Sequence, residues 1–156
     1  GATRIVVRSM SEDDVRTIAA DPAALVGSDG PCVSPYGVTG QGKPHPRLYG
    51  TFPRLIGHYA RDLGLLTLPQ AIFKMTGGAA AALGLADRGT LGEGQAADVV
   101  LFDPATILDR ATYDDPHQYP AGVGTVIVNG TVVIDAGEHT DALPGRLLRR
   151  RGTVLA

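Results

Sequence analysis

The chemistry in this sequence concentrates on one carboxylate and one guanidinium. Asp29 ends an apolar run, Ala24-Leu25-Val26-Gly27-Ser28-Asp29-Gly30, where a short buried strand would carry a carboxylate to its tip and then turn on glycine. In a β/α barrel the C-terminal strand tips build the active site. A carboxylate there can take a proton from water and pass it to a leaving nitrogen, help worth roughly 10²–10⁴ in rate. Further along comes His45-Pro46-Arg47-Leu48-Tyr49-Gly50, read as a turn with a cation beside aromatic surface. The Arg47 fork can grip a carboxylate through two parallel hydrogen bonds, which lysine cannot match. His45 is placed to touch a substrate or a metal. Each residue also has a plainer reading: Asp29 as the start of an Asx turn, Arg47 as a surface cation, and His45 as part of a stiff Pro-His-Pro turn.

Metal chemistry finds few candidates. His58, His117 and His139 are scattered, no His-x-His or His-x-x-x-His occurs, and the usual zinc spacings fail. His58 falls inside a helical stretch, His117 in a proline-bounded loop and His139 in a turn, and all three read as structural. Cys32, alone after Pro31, reads as a bystander. No metal ligand is assigned within the chain.

The elements that must position these groups begin with a strand at Ile5-Val6-Val7. A helix follows, capped by Ser11, acidic in its first turn and ending at Asp21-Pro22. The strand into Asp29 completes a βαβ unit, whose two strands should be parallel neighbours. Residues 30–46, rich in proline and glycine, form a long irregular loop of the kind that is functional or disordered. A helix is expected from about Phe52 to Leu63, with Leu55, Ile56, Tyr59 and Leu63 on one face. Thr67-Leu68-Pro69-Gln70 opens another with a capping box; it pauses at Gly77-Gly78 and continues through alanines to Gly84. From Gly89 the pattern changes to short strands. Ala97–Phe102 is one, and Thr125–Val128 with Thr131–Ile134 around Asn129-Gly130 is a hairpin. The basic run from Arg146 to Arg151 reads as a solvated tail.

Composition narrows the class. The 156 residues are enough for one domain or part of a larger one, 44% are hydrophobic, and with 5% aromatics and no Trp the core must be aliphatic. A net charge of −2, from 14 basic and 16 acidic residues, argues against a nucleic-acid partner. One cysteine excludes an internal disulfide and suggests a reducing, cytoplasmic setting. No apolar stretch reaches membrane-span length, so no membrane partner is expected. Gly1-Ala2-Thr3 reads as a cut or a tag scar.

With these residues in view, Gly27-Ser28-Asp29-Gly30 joined to His45-Pro46-Arg47-Leu48-Tyr49-Gly50-Thr51-Phe52-Pro53-Arg54 resembles the D-aminoacylases, N-acyl-D-amino-acid deacylases of the amidohydrolase superfamily. Leu68-x-x-Ala71-Ile72-x-Lys74-Met75-Thr76, Arg88-Gly89, Ala97-Asp98 and Phe102-Asp103-Pro104 agree at superfamily level. Asp115-Pro116-His117-Gln118-Tyr119-Pro120 and Gly137-Glu138-His139-Thr140 narrow it to the D-aminoacylase branch. The resemblance spans about Ile5 to Arg149. It implies an α/β fold: the C-terminal strands and helices of a (β/α)8 metal-dependent hydrolase barrel in residues 1–88, with post-barrel helices, and part of a small β-sandwich with a tail in residues 89–156.

The resemblance further implies that Asp29 is the catalytic aspartate and Arg47 the arginine for the substrate carboxylate, with Ser28 and His45 beside the substrate. It implies zinc as cofactor, on a Cys and several His outside this chain, activating water and polarising the amide carbonyl. The partner is then a small N-acyl amino acid, and this chain alone would be inactive. Two departures stand out: Gly77-Gly78-Ala79-Ala80 replaces the commoner Ser-x-Pro-Ala, and the loop from Asp29 to His45 is long for the family. The rival readings are a cyclic-amide hydrolase of the dihydroorotase or hydantoinase kind, which the His-Pro-Arg-x-Tyr-Gly run opposes, and a non-catalytic module that packs or oligomerises. Exposed barrel-strand edges would favour oligomers or strand exchange.

Overall fold

A computed structural model describes residue 7 and residues 9–149. It is an α/β arrangement in which a helical cluster leans on a small antiparallel sheet. Helix α1 (Glu12–Ala20) starts as its sequence predicts. The Ser11 hydroxyl accepts from the Asp14 amide while the Asp14 carboxylate accepts from the Ser11 amide, so two orphan donors are satisfied reciprocally.

The strand expected at Ile5–Val7 lies largely outside the described residues. Residues 24–29, expected to form the second strand, pair with no strand among the described residues, and their expected partner at Ile5–Val7 lies largely outside those residues. A ladder needs a partner as well as an apolar run. Here the Val26 amide donates to the Lys74 carbonyl, and the Lys74 ammonium donates to the carbonyls of Asp21 and Ala24. Lys74 is only 4% exposed, so a helix side chain holds the segment that leads to Asp29.

Residues 30–46 are irregular apart from a 3-10 turn at Gly37–Gly40. Helix α2 (Arg47–Arg54) then begins earlier than the sequence suggests, and the His-Pro-Arg run read as a turn is its start. Pro46, in the α region, presets the first turn and has no amide to satisfy. Pro53 removes one ladder donor and crowds the carbonyl of the preceding turn. The helix continues from Leu55 to Asp62 with π spacing, and the Leu63 amide reaches back to the His58 carbonyl at 3.0 Å. Leu55, Ile56 and Tyr59 are buried as expected, but Leu63 is exposed.

Helix α3 (Leu68–Met75) carries the predicted Thr67–Gln70 capping box. It breaks at Thr76 and resumes as α4 (Gly77–Leu83), which Gly84 ends in the left-handed conformation. Leu55, Tyr59, Ala60, Leu66 and Ala71 form the core cluster, with Val15, Val26, Leu65 and Met75 packed around it.

Strands β1 (Val99–Phe102), β2 (Val123–Val128), β3 (Thr131–Asp135) and β4 (Glu138–His139) form one antiparallel sheet in sequence order. Asn129 and Gly130 both have positive φ, 48° and 80°, which is the type I′ hairpin their identity predicts. The short β4 was not expected. Ala136 and Gly137 repeat the same turn and place Glu138 and His139 in the sheet rather than in a turn. No helix among the described residues is long and apolar enough to cross a membrane.

The segment after β1 joins helices to sheet. Ile107 is 2% exposed, and Arg61 Nη1 donates to the carbonyls of Ala105 and Ile107 at 3.1 and 2.8 Å. Gly122 lies against it at φ +76°, where an added Cβ would sit 2.5 Å from the Ile107 nitrogen. Gly122→Ala is therefore expected to combine left-handed strain with a backbone overlap and cost about 3 kcal/mol or more. Gly130→Ala, equally left-handed but with nothing within 4 Å, should lose only the conformational part, about 1–2 kcal/mol. Denaturant midpoints of the two variants would check this, and equal losses would refute it.

Candidate functional site

The extended segment after Lys74's clamp delivers Ser28 and Asp29. Ser28 is half-buried, and Asp29 takes a left-handed φ of 47°, a conformation aspartate tolerates better than most residues. Gly30 then passes so close to α2 that an added Cβ would meet the Leu48 side chain at 3.0 Å. This close approach sets Asp29 beside the first turn of α2. Arg47 Nη2 lies 2.8 Å from Asp29 Oδ2. The Asp29 side chain is 87% exposed and that of Arg47 42%, so both remain open to a ligand. The single contact between them leaves the rest of the Arg47 fork available.

His45 anchors the start of α2. Its Nδ1 lies 3.0 Å from the Arg47 amide, which donates to it, and its Nε2 lies 3.2 Å from the Tyr113 hydroxyl. The two rings meet edge-on with centroids 5.2 Å apart. Burial first, and then the Arg47 charge, hold the imidazole pKa below its usual value. With both nitrogens engaged inside the chain, His45 presents no free ring nitrogen to a substrate or a metal.

A second histidine–tyrosine pair lies one turn along. The Tyr49 hydroxyl is 3.0 Å from His117 Nδ1, and His117 Nε2 is 2.9 Å from the Gly42 carbonyl. His117, read as structural, thus ties the long loop to α2 while Tyr119 packs edge-on against Tyr49. The remaining histidines lie elsewhere. His58 stacks edge-on with Tyr59, and His139 Nδ1 accepts from the Asp141 amide. Cys32 is exposed and unbridged.

His45, Arg47, Arg54, Glu12, Asp109 and Tyr113 lie along a cavity of about 680 Å³ between α1, α2 and the segment after β1. Arg54 pairs with Asp109 at 3.2 Å and lies over the Tyr59 ring, so Arg47 is the arginine there with a fork still open. Tyr113 and Asp109 were missed by the sequence reading. Their only local signal is a polar stretch after an apolar strand, shared by many solvent loops.

Among the described residues no group of three or more His, Cys, Asp or Glu side chains could hold a metal ion. The residues present therefore do not fit a metal centre of their own. What they offer is a guanidinium at Arg47 and a carboxylate at Asp29, in contact and both open to solvent.

The family model for the "Amidohydrolase family" matches residues 6–134. A D-aminoacylase of Alcaligenes xylosoxydans xylosoxydans is 48% identical over 90% of this chain and 28% of its own length. A crystal structure of D-aminoacylase superposes with a TM-score of 0.77 at 47% identity, over 85% of this chain and 27% of that one. An N-acyl-D-glutamate deacylase from Bordetella bronchiseptica, solved with zinc and a phosphonate mimic of the tetrahedral intermediate, gives 0.71 at 45% identity over 80% and 25% of the two chains. The chain thus spans little more than a quarter of the length of the relatives it matches.

Proposed function

Because the chain belongs to the amidohydrolase family, we propose that it supplies the proton-transfer group and the carboxylate anchor of an enzyme that hydrolyses the amide bond of N-acyl-D-amino acids. The observation that carries this reading is the pairing of Asp29 with Arg47 at 2.8 Å, both open to solvent. An N-acyl amino acid has a carboxylate two bonds from its amide nitrogen. A base and a guanidinium in contact suit that spacing.

In this reading Arg47 takes the α-carboxylate with the edge of its fork that Asp29 leaves free. Asp29 then faces the adjoining amide. It removes a proton from water as the water oxygen bonds to the acyl carbon, and delivers that proton to the nitrogen as the C–N bond breaks. The products are the free carboxylate and the D-amino acid. With the carboxylate and the acyl carbon held at two points, the wall met by the substrate side chain is the third contact and selects the stereoisomer, and Ser28, half-buried next to Asp29, lines that approach.

Likeness to a zinc-complexed deacylase supports a divalent metal in the complete enzyme. We assign its ligands to side chains outside the described residues. The helices then belong to the closing part of a (β/α)8 barrel and the antiparallel strands to a small sandwich. The contacts of His45 with Tyr113 and of Tyr49 with His117 support a site completed from both sides of residue 88. The single exposed cysteine suits a reducing, cytoplasmic setting.

The test is hydrolysis of paired N-acetyl-D- and N-acetyl-L-amino acids by the complete enzyme, read as free amino acid released. Turnover of the D series at least about tenfold faster in kcat/KM, a difference of 1.4 kcal/mol in transition-state binding, is expected. Equal rates, or turnover of cyclic amides instead, would overturn the reading.

A further inference from the structure

We propose that His45 is a positioning residue: its imidazole caps the first turn of α2 and thereby fixes Arg47 for the substrate carboxylate. The inference rests on the carboxylate role of Arg47 proposed above, and adds a residue that acts through it.

The argument starts from the backbone. A helix begins with amides that have no partner inside it. In His45-Pro46-Arg47 the proline has no amide, so the Arg47 amide is the first donor needing an acceptor. Ser, Thr, Asp and Asn usually supply one from the N-cap position. Here the donor goes to His45 Nδ1 at 3.0 Å, while the His45 carbonyl accepts from the Leu48 amide at 3.2 Å. His45 thus behaves as the cap, and Pro46 as the first helical residue.

This use of Nδ1 dictates the tautomer. An imidazole nitrogen that accepts has no hydrogen, so the neutral ring carries its proton on Nε2, which faces the Tyr113 hydroxyl at 3.2 Å. The ring is held at both nitrogens, and one of the two contacts is with the Arg47 amide. Because one peptide plane carries the capped amide, a shift in that plane moves the guanidinium away from Asp29 and from a bound carboxylate.

Protonation removes the cap. A proton on Nδ1 would face the Arg47 amide donor to donor. It would also place a cation at the positive end of the helix dipole and beside the Arg47 charge. Among the described residues, the charged and titratable groups that line the same cavity as the ring are Glu12 on α1, Arg47 and Arg54 on α2, and Asp109 and Tyr113 from the segment after β1. Glu12 lies 3.6 Å from Arg16 and Asp109 is paired with Arg54, so neither is left to welcome an imidazolium. The lowered basicity of His45 has the same sign.

The experiment is steady-state kinetics of the complete enzyme on an N-acetyl-D-amino acid from pH 5 to 8, with His45→Ala, His45→Asn and Arg47→Ala. His45→Ala should raise KM about tenfold, within the range of a lost helix cap, and change kcat less than about twofold. His45→Asn keeps an acceptor for the Arg47 amide but does not titrate. It should restore KM and lack the rise in KM at acid pH that is expected of the wild type below the ordinary histidine pKa. Two outcomes would overturn the proposal: His45→Asn as impaired as His45→Ala, which would mean the ring itself meets the substrate, or an unchanged KM in His45→Ala.

A second readout does not depend on turnover. The ¹⁵N shifts of the His45 ring at pH 7.5 should show a proton-free Nδ1, and the Arg47 amide shift should titrate with the ring. A protonated Nδ1 would refute the cap whatever the kinetics. An unchanged KM in Arg47→Ala alongside a proton-free Nδ1 would instead leave the cap standing and remove the carboxylate role of Arg47.

Discussion

Asp29→Asn in the complete enzyme is expected to lower kcat by about 10²–10⁴, the usual worth of a positioned acid–base group. The amide keeps the shape of the carboxylate and can still accept a hydrogen bond from Arg47. It can neither take a proton from water nor return one to the leaving nitrogen. The geometry adds a second expectation. In the free protein Asp29 occupies one nitrogen of the guanidinium proposed to hold the substrate carboxylate. It is also a like charge next to that carboxylate. Neutralising it should let the substrate bind slightly better, so KM should fall even as kcat collapses. The gain is bounded by the worth of an exposed ion pair, about 0–1 kcal/mol, or at most roughly fivefold in KM. A near-normal kcat in Asp29→Asn would remove the assigned role. A KM raised tenfold would show that Asp29 helps to bind the substrate rather than compete for Arg47.

Arg47→Ala should give the complementary pattern. A charge-assisted bond to a carboxylate is worth about 1.5–3 kcal/mol, which predicts KM raised roughly 10- to 150-fold with a much smaller loss of kcat. Arg47→Lys should recover only part of this, because lysine restores charge without the fork that holds a carboxylate in one plane. The stereochemical preference should narrow in both variants, since one of the three contacts needed to tell D from L has been loosened. Kinetics on paired D and L substrates would read all three effects. An unchanged preference in Arg47→Ala would place the stereochemical control elsewhere. The two variants also test each other. Residues that share an ion pair do not add, so the double variant should bind substrate no worse than Arg47→Ala alone.

How much of this was visible in the sequence depended on the range of the interaction. Ser11 with Asp14, Thr67 with Gln70 and Asn129-Gly130 are complete within four residues, and each forms as its spacing predicts. The apolar run before Asp29 signalled burial, but burial does not specify what covers a segment. Among the described residues, a lysine some fifty residues away holds it. The start of α2 was misplaced because Pro-His-Pro reads as a turn unless the imidazole is recognised as a cap. The pairs His45–Tyr113 and Tyr49–His117 each span 68 residues. Nothing in local patterning links such distant polar residues, and His117 looked like any histidine in a proline-bounded loop. Asp29 and Arg47 were each conspicuous. Their contact followed from Gly30 passing close to Leu48, a matter of chain path rather than residue type.

The burial of Lys74 also shapes the covalent reactivity of the protein. Lys43 and Lys74 are the only lysines in the sequence. One is packed away with its ammonium donating to two carbonyls, while the other stands exposed on the long loop next to Gly42, the residue whose carbonyl faces His117. An amine-reactive dye applied near neutral pH will therefore discriminate between the two without mutagenesis. The side chain it modifies sits on the segment that spans Asp29 and Arg47. Within this chain, a reporter on Lys43, separated from one on the α-amine by peptide mapping, would stand beside the proposed site, and its emission would follow ligand arrival in real time.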